Sequence, residues 1–133
     1  MHRIKYSAVG AGITGYFGVI KTGAATTDSL LFKLAATGVL SLVSTVNNTA
    51  TTLVSNVATV TGGSWVDAGW YYNGTDLFVY VNDVLVARVA APTIGTTGTT
   101  LTNAILTPIT QITPAATETV DIDYALVACE VSR

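Results

Sequence analysis

Residues 10 to 15 read Gly10-Ala11-Gly12-Ile13-Thr14-Gly15, a complete spelling of the dinucleotide-binding fingerprint G-x-G-x-x-G. That chemistry needs a strand before the glycines and a helix directly after them, whose free N–H groups and positive dipole end hold a pyrophosphate. Arg3 to Val9 could supply the strand. Tyr16-Phe17-Gly18-Val19-Ile20-Lys21 does not supply the helix, because aromatic and β-branched residues around a glycine favour a strand, and Gly23 with its threonines then makes a turn. The fingerprint also calls for an acidic residue about 20 positions on, at the end of a second strand. The nearest, Asp28, lies 13 residues past Gly15 in a polar stretch. The motif is therefore expected to be a glycine-rich connection between two strands, with no cofactor.

Other reactive groups are few. The one histidine, His2, is next to the start of the chain, so a Ser-His-Asp or Cys-His arrangement would have to be built on it. The one cysteine, Cys129, lies in an apolar run and is expected to be a small buried hydrophobe. Zinc takes three or four Cys or His ligands, and the chain has one of each. Asp121 and Asp123 fall on one face of a strand and could hold calcium with Asp67, Asp76 or Asp83. No dense Asp-x-Asn-x-Asp run fixes such a site, and the expectation is a solvated polar face opposite a buried face of Val120, Ile122 and Tyr124. No catalytic residue and no metal site is assigned.

Aromatics are the remaining candidates. Trp65, Trp70, Tyr71, Tyr72 and Tyr80 could stack on a sugar, but strand alternation must turn half of them into the core. Trp70 is assigned to the core. Trp65, Tyr71 and Tyr80 stay as candidate interface or ligand residues. Asn47-Asn48-Thr49 and Asn73-Gly74-Thr75 formally spell glycosylation acceptors, but turn formation explains both.

The elements that must position these groups are strands. Apolar residues alternate with serine or threonine through Leu40 to Val46 and again through Thr52 to Val57, and each run ends in Gly, Asn, Thr or Pro. This predicts roughly ten to twelve strands, an all-β antiparallel sandwich of jelly-roll type in a single domain over residues 1 to 133. Ser29 to Ala36, SLLFKLAA, could form two helical turns capped by Asp28, but a strand over Leu30 to Leu34 fits its neighbours better.

Between Ser64 and Val89 the pattern is clearest. Trp65 to Tyr72 alternates, with Val66, Ala68, Trp70 and Tyr72 on one face. Asn73-Gly74 marks a turn, and Asp76 to Val81 and Val84 to Val89 flank a second turn at Asn82-Asp83. This is a meander of three antiparallel strands. Residues 91 to 117 are threonine-rich and contain Pro92, Pro108 and Pro114, which predicts an exposed loop over Thr93 to Thr100 and an interrupted strand over Ile105 to Thr110. The last strand, Thr119 to Val127, should begin at an edge and finish buried.

Composition excludes several classes. Charged residues are 11% and hydrophobic ones 50%, with a net charge of -2, a pI near 5.0 and a mean hydropathy of +0.53. No basic stripe exists to neutralise phosphates, so nucleic acid is not an expected partner. No stretch reads as a signal peptide. Residues 34 to 66 carry no charge, but Asn47, Asn48, Asn56 and the interleaved threonines argue against a membrane span.

GSWVDAGWYYNGTDLFVYVNDVLVARV, residues 63 to 89, resembles the repeated core of concanavalin A-like and laminin G-like jelly rolls. There a W-x-x-x-G-aromatic strand meets a strand and turn written L-x-V-Y-V-Asn-Gly. The closing VDIDYALVA is similar to the final strand of such domains in bacteriophage virion proteins. One departure is Asn82-Asp83 in place of Asn-Gly. The resemblance implies a non-enzymatic capsid decoration (cement) protein on the virion's capsid surface, with no cofactor. Its expected partners are the major capsid protein and further copies of itself, as a dimer or trimer. A carbohydrate-binding module of a tail fibre or secreted protein is the rival. Low charge supports assembly, since solitary sheet proteins guard their edge strands with charge or proline.

Overall fold

The structure, a computed structural model, describes residues 1–8, 13–21, 28–96, 99–100, 106–113 and 119–126. Its strands are β1 His2–Tyr6, β2 Thr14–Lys21, β3 Asp28–Leu34, β4 Val39–Val46, β5 Thr49–Thr59, β6 Trp65–Tyr72, β7 Asp76–Val81, β8 Val84–Ala90, β9 Gly95–Thr96, β10 Thr99–Thr100, β11 Leu106–Thr113 and β12 Val120–Ala125. Two five-stranded antiparallel sheets, ordered β12-β1-β6-β7-β8 and β11-β2-β3-β4-β5, pack face to face as a β-sandwich. Pairing is wrapped, with β1 against β12 and β2 against β11. Within that wrapping β2 to β5 and β6 to β8 are meanders of adjacent strands.

Period-two alternation builds the core. Ile4, Tyr6, Val66, Ala68, Leu77 and Val79 from the first sheet meet Phe17, Val19, Leu30, Phe32, Leu40 and Leu42 from the second, and all are buried. Full burial of each large aliphatic or aromatic side chain contributes about 1.5–3 kcal/mol. SLLFKLAA resolves as a strand. Leu30, Phe32 and Leu34 enter the core, and Asp28, the first residue of β3, is itself buried and accepts the Asn47 N–H at 3.4 Å. It lies in the ladder and caps no helix.

Trp70 and Tyr72 pack against the core from the inner face of β6. Asn82 and Asp83 both have positive φ, 48° and 63°, so Asn-Asp makes the same type of two-residue turn that Asn-Gly makes. Asn47 and Asn48 do likewise between β4 and β5, at 49° and 63°. Asn73 forms the third turn through its side-chain oxygen, which accepts the N–H groups of Thr75 and Asp76 at 2.9 and 2.7 Å. Both formal glycosylation triplets are thus turn residues.

Three expectations change. The segment read as an exposed loop over Thr93 to Thr100 contains the small β9–β10 ladder, and Ser44 Oγ donates to the Thr93 carbonyl at 2.9 Å. The strand read as interrupted, Ile105 to Thr110, runs unbroken over Leu106–Thr113, because β11 is an edge strand and tolerates Pro108 there. The last strand does not turn inward by Ala125. β12 is an edge strand, and a bulge between the Arg3 and Ile4 pairings inserts Asp123 as an extra residue. Ile122 stays on the inner side yet is 50% exposed, while Tyr124 is carried to the outer face. The expected buried face of Val120, Ile122 and Tyr124 therefore does not exist, because a one-residue insertion flips every side chain beyond it.

The same device recurs at the other edges. β5 is bulged twice against β4, and β8 carries an extra residue, Val86, against β7. With Pro108 on β11, each of the four outer strands has a bulge or a proline. β12 and β8 carry charge as well, in Asp121, Asp123 and Arg88, while β5 and β11 have none and rely on backbone geometry alone.

Candidate functional site

The outer face of the β12-β1-β6-β7-β8 sheet collects the candidate aromatics. Alternation that buries Val66 and Ala68 turns Trp65, Asp67, Gly69 and Tyr71 outward, and that which buries Leu77 and Val79 turns out Phe78 and Tyr80. Trp65 is 39% and Tyr71 48% exposed, while Tyr80 is half-buried opposite Gly69. Trp65 and Tyr71 are six residues apart on one strand, or about 20 Å. One face thus holds Trp65 and Tyr71 at two separate ends, with Tyr80 between them.

At the first end the Lys5 ammonium and Arg3 guanidinium stand 4.9 and 5.4 Å from the Trp65 ring centroid. Lys5 pairs with Asp121 at 2.8 Å, and Arg3 with Asp123 at 3.3 Å and Asp67 at 3.8 Å. The Tyr124 hydroxyl donates to Asp67 Oδ1 at 2.8 Å, which holds the phenol above its usual pKa. Asp121 and Asp123 thus each face a cation of β1. Asp76 pairs with Arg88 instead, accepting from Nε at 3.0 Å. Among the described residues no group of three or more carboxylates or other metal-type ligands converges.

At the second end Tyr71 stacks on Phe78 with centroids 6.2 Å apart, and the Arg88 guanidinium lies 5.9 Å from the Phe78 ring. On the rim strand β8, toward the β7–β8 turn, Val84, Leu85 and Val86 are exposed, Val84 by 62%. Along the chain these three read only as part of the strand after the Asn82-Asp83 turn. Sequence reading passed over Arg3 and Lys5, although their period-two spacing matches that of Asp121 and Asp123.

The fingerprint dissolves in the fold. Gly10 and Gly12 lie outside the described residues, as does Cys129, while Gly15 is the second residue of β2. A strand, not a helix, follows it. A Cβ on Gly15 would come within 2.8 Å of the Gln111 carbonyl oxygen and 3.1 Å of the Tyr6 hydroxyl, so the glycine serves close packing. Gly18 is required by conformation, with φ of 148° and the Leu30 carbonyl oxygen 2.3 Å from where a Cβ would sit.

His2 is buried on the inner face of β1 against Phe17, 5.4 Å between ring centroids. Desolvation, with help from the neighbouring amino terminus, lowers its pKa to about 4. No hydrogen bond joins it to a serine or carboxylate among the described residues. No protein-family model, curated protein or solved structure matches the chain.

Proposed function

We propose that the chain is a non-enzymatic β-sandwich assembly protein, and specifically a capsid decoration protein on the surface of a virion. It would bridge neighbouring copies of a major capsid protein and associate with further copies of itself. The observation that carries this reading is apolar exposure at both edges of one sheet, Val84, Leu85 and Val86 on β8 and Ile122 on β12 with Leu126 just after it, in a chain with only 6 Lys and Arg and 8 Asp and Glu. Apolar exposure along both edges favours association, and the hydrophobic term acts on area without requiring any reactive group. Because three edge strands are bulged and β11 carries Pro108, contact through side-chain faces is favoured over strand-to-strand addition. The concanavalin A-like resemblance of residues 63 to 89 belongs to the same proposal.

The test is the native mass of the particle from which the chain is isolated, with sedimentation of the purified protein. Retention on a capsid-sized particle supports the reading, and a solitary monomer at high concentration that never sediments with a particle overturns it. Carbohydrate binding is the second reading, favoured by the exposure of Trp65 and Tyr71. Against it, Lys5 and Arg3 already stand against the Trp65 ring. A glycan array decides: specific retention that is lost in Tyr71→Ala or Trp65→Ala would establish a sugar module.

A further inference from the structure

β12 is a separable part of the sandwich. It pairs with β1 alone, at the edge of its sheet, and of its side chains only Val120 packs against the core while the others are exposed. β1 is the opposite case. Its Ile4 and Tyr6 are fully buried, and it stands in the ladder between β6 and β12. It therefore needs a strand along its outer edge, whichever chain supplies it, since an unfilled edge leaves backbone N–H and C=O groups open to other strands.

That edge is selective. β1 presents Arg3 and Lys5, and β12 brings Asp123 and Asp121 to them at 3.3 and 2.8 Å. Tyr124 adds a contact beyond β1, donating to Asp67 Oδ1 on β6 at 2.8 Å, and the bulge between the Arg3 and Ile4 pairings fixes the register. Exposed ion pairs add little stability. Their effect is to reject strands of another charge pattern. Besides the chain's own β12, the strand that meets all of these contacts is the β12 of a second copy. Positions 114 to 119 alone separate β12 from β11, which belongs to the other sheet, and short connections invite exchange of an end element between copies.

We propose that β12 is exchanged between two copies of the chain, each β12 completing the sheet of the other beside β1. Exchange repeats the β1–β12 contacts of the closed chain, and Ile122, 50% exposed on β12, supplies apolar area where the two bodies meet. It replaces a strand and adds none, so the bulged outer edges do not oppose it. The proposal rests on the self-association part of the reading above, and the contact with a coat protein is separate from it.

The experiment uses two full-length forms, both carrying Cys129→Ser, one with Lys5→Cys and the other with Asp121→Cys. Lys5 and Asp121 are directly opposed in the ladder, and such antiparallel pairs hold their Cα atoms about 4.5–5.5 Å apart, within disulfide range. The two forms are unfolded together in urea, refolded and oxidised. A covalent heterodimer is expected from about half of the chains, the share that random mixing of a two-fold dimer gives. Its absence overturns the proposal, as does a chain bearing both cysteines that closes as a disulfide-bonded monomer. Should the cysteine variants fail to fold, a refolded mixture of isotope-labelled and unlabelled wild-type chains decides. Isotope-filtered contacts between Ile4 of one copy and Ile122 of the other are expected, and their absence overturns exchange. A dimer in sedimentation that lacks the heterodimer disulfide sinks exchange and spares the assembly reading, whereas the disulfide without retention on a particle supports exchange and sinks the decoration reading.

Discussion

At the scale of single residues, burial decides what each polar group can do. His2 would be an unremarkable surface titrant in an unfolded chain, near 6.5, but inside the sandwich its pKa falls to about 4. The folded state therefore rejects a proton that the unfolded state accepts. The sign is definite: the neutral-His2 contribution is complete above about pH 6.5 and is lost as pH falls from there toward 4. At about 1.4 kcal/mol per pKa unit the loss reaches at most about 3.5 kcal/mol. Urea melts at pH 7 and pH 4.5 should show this drop, and the drop should shrink in His2→Phe; an unchanged drop in that variant would assign the effect to other groups. Gly18 is the second residue-scale case. Gly18→Ala combines a backbone conformation that L-residues avoid with a Cβ 2.3 Å from a carbonyl oxygen, and should destabilise by more than about 2 kcal/mol in the same assay.

At the scale of elements, turns and bulges determine where side chains go. The β7–β8 turn puts Asn82 and Asp83 at positive φ, and Asn82 also accepts the Asp67 N–H at 3.0 Å through its side chain. Glycine suits the second position better than aspartate. Asp83→Gly should raise stability by about 0.5 kcal/mol, while Asn82→Ala, which loses the bond to Asp67, should lower it by about 1 kcal/mol. Thermal melts of the two variants are expected to move in opposite directions. The β12 bulge acts on position more than on stability. By inserting Asp123 it sets Tyr124 on Asp67 and leaves Ile122 facing inward but exposed. Alternation read along the chain cannot register such an insertion, since each residue past it changes face while the spelling stays the same.

At the scale of the whole molecule, the outer surface combines very few charges with two apolar rims. The edge strands β5 and β11 lack charge, which would suit pairing with other chains, but bulges on β5, β8 and β12 and Pro108 on β11 interrupt the ladders. Association is accordingly assigned to side-chain contact. Leu85→Lys with Val86→Lys tests it, because both sites are exposed and should alter folding stability by less than about 0.5 kcal/mol each. The pair should abolish particle retention while leaving the melting temperature nearly unchanged. Retention unaffected by both lysines would move the contact to another surface.

Strand identity was legible along the chain wherever apolar residues alternated, because a period of two suits only a sheet with one buried face. That rule also put Trp70 on the core face with Val66, Ala68 and Tyr72, while Trp65, Tyr71 and Tyr80 stayed open as interface or ligand candidates, and it removed the nucleotide motif, since Tyr16 to Lys21 has no helical periodicity. Only the tertiary structure decided which strands are neighbours, where the bulges fall, and that Arg3 and Lys5 meet Trp65, Asp121 and Asp123 across 59 or more intervening positions. The physical reason is that alternation is local to each strand. Pairing depends on the free energy of burying two distant faces together, and that is a property of the closed sandwich and of no single segment.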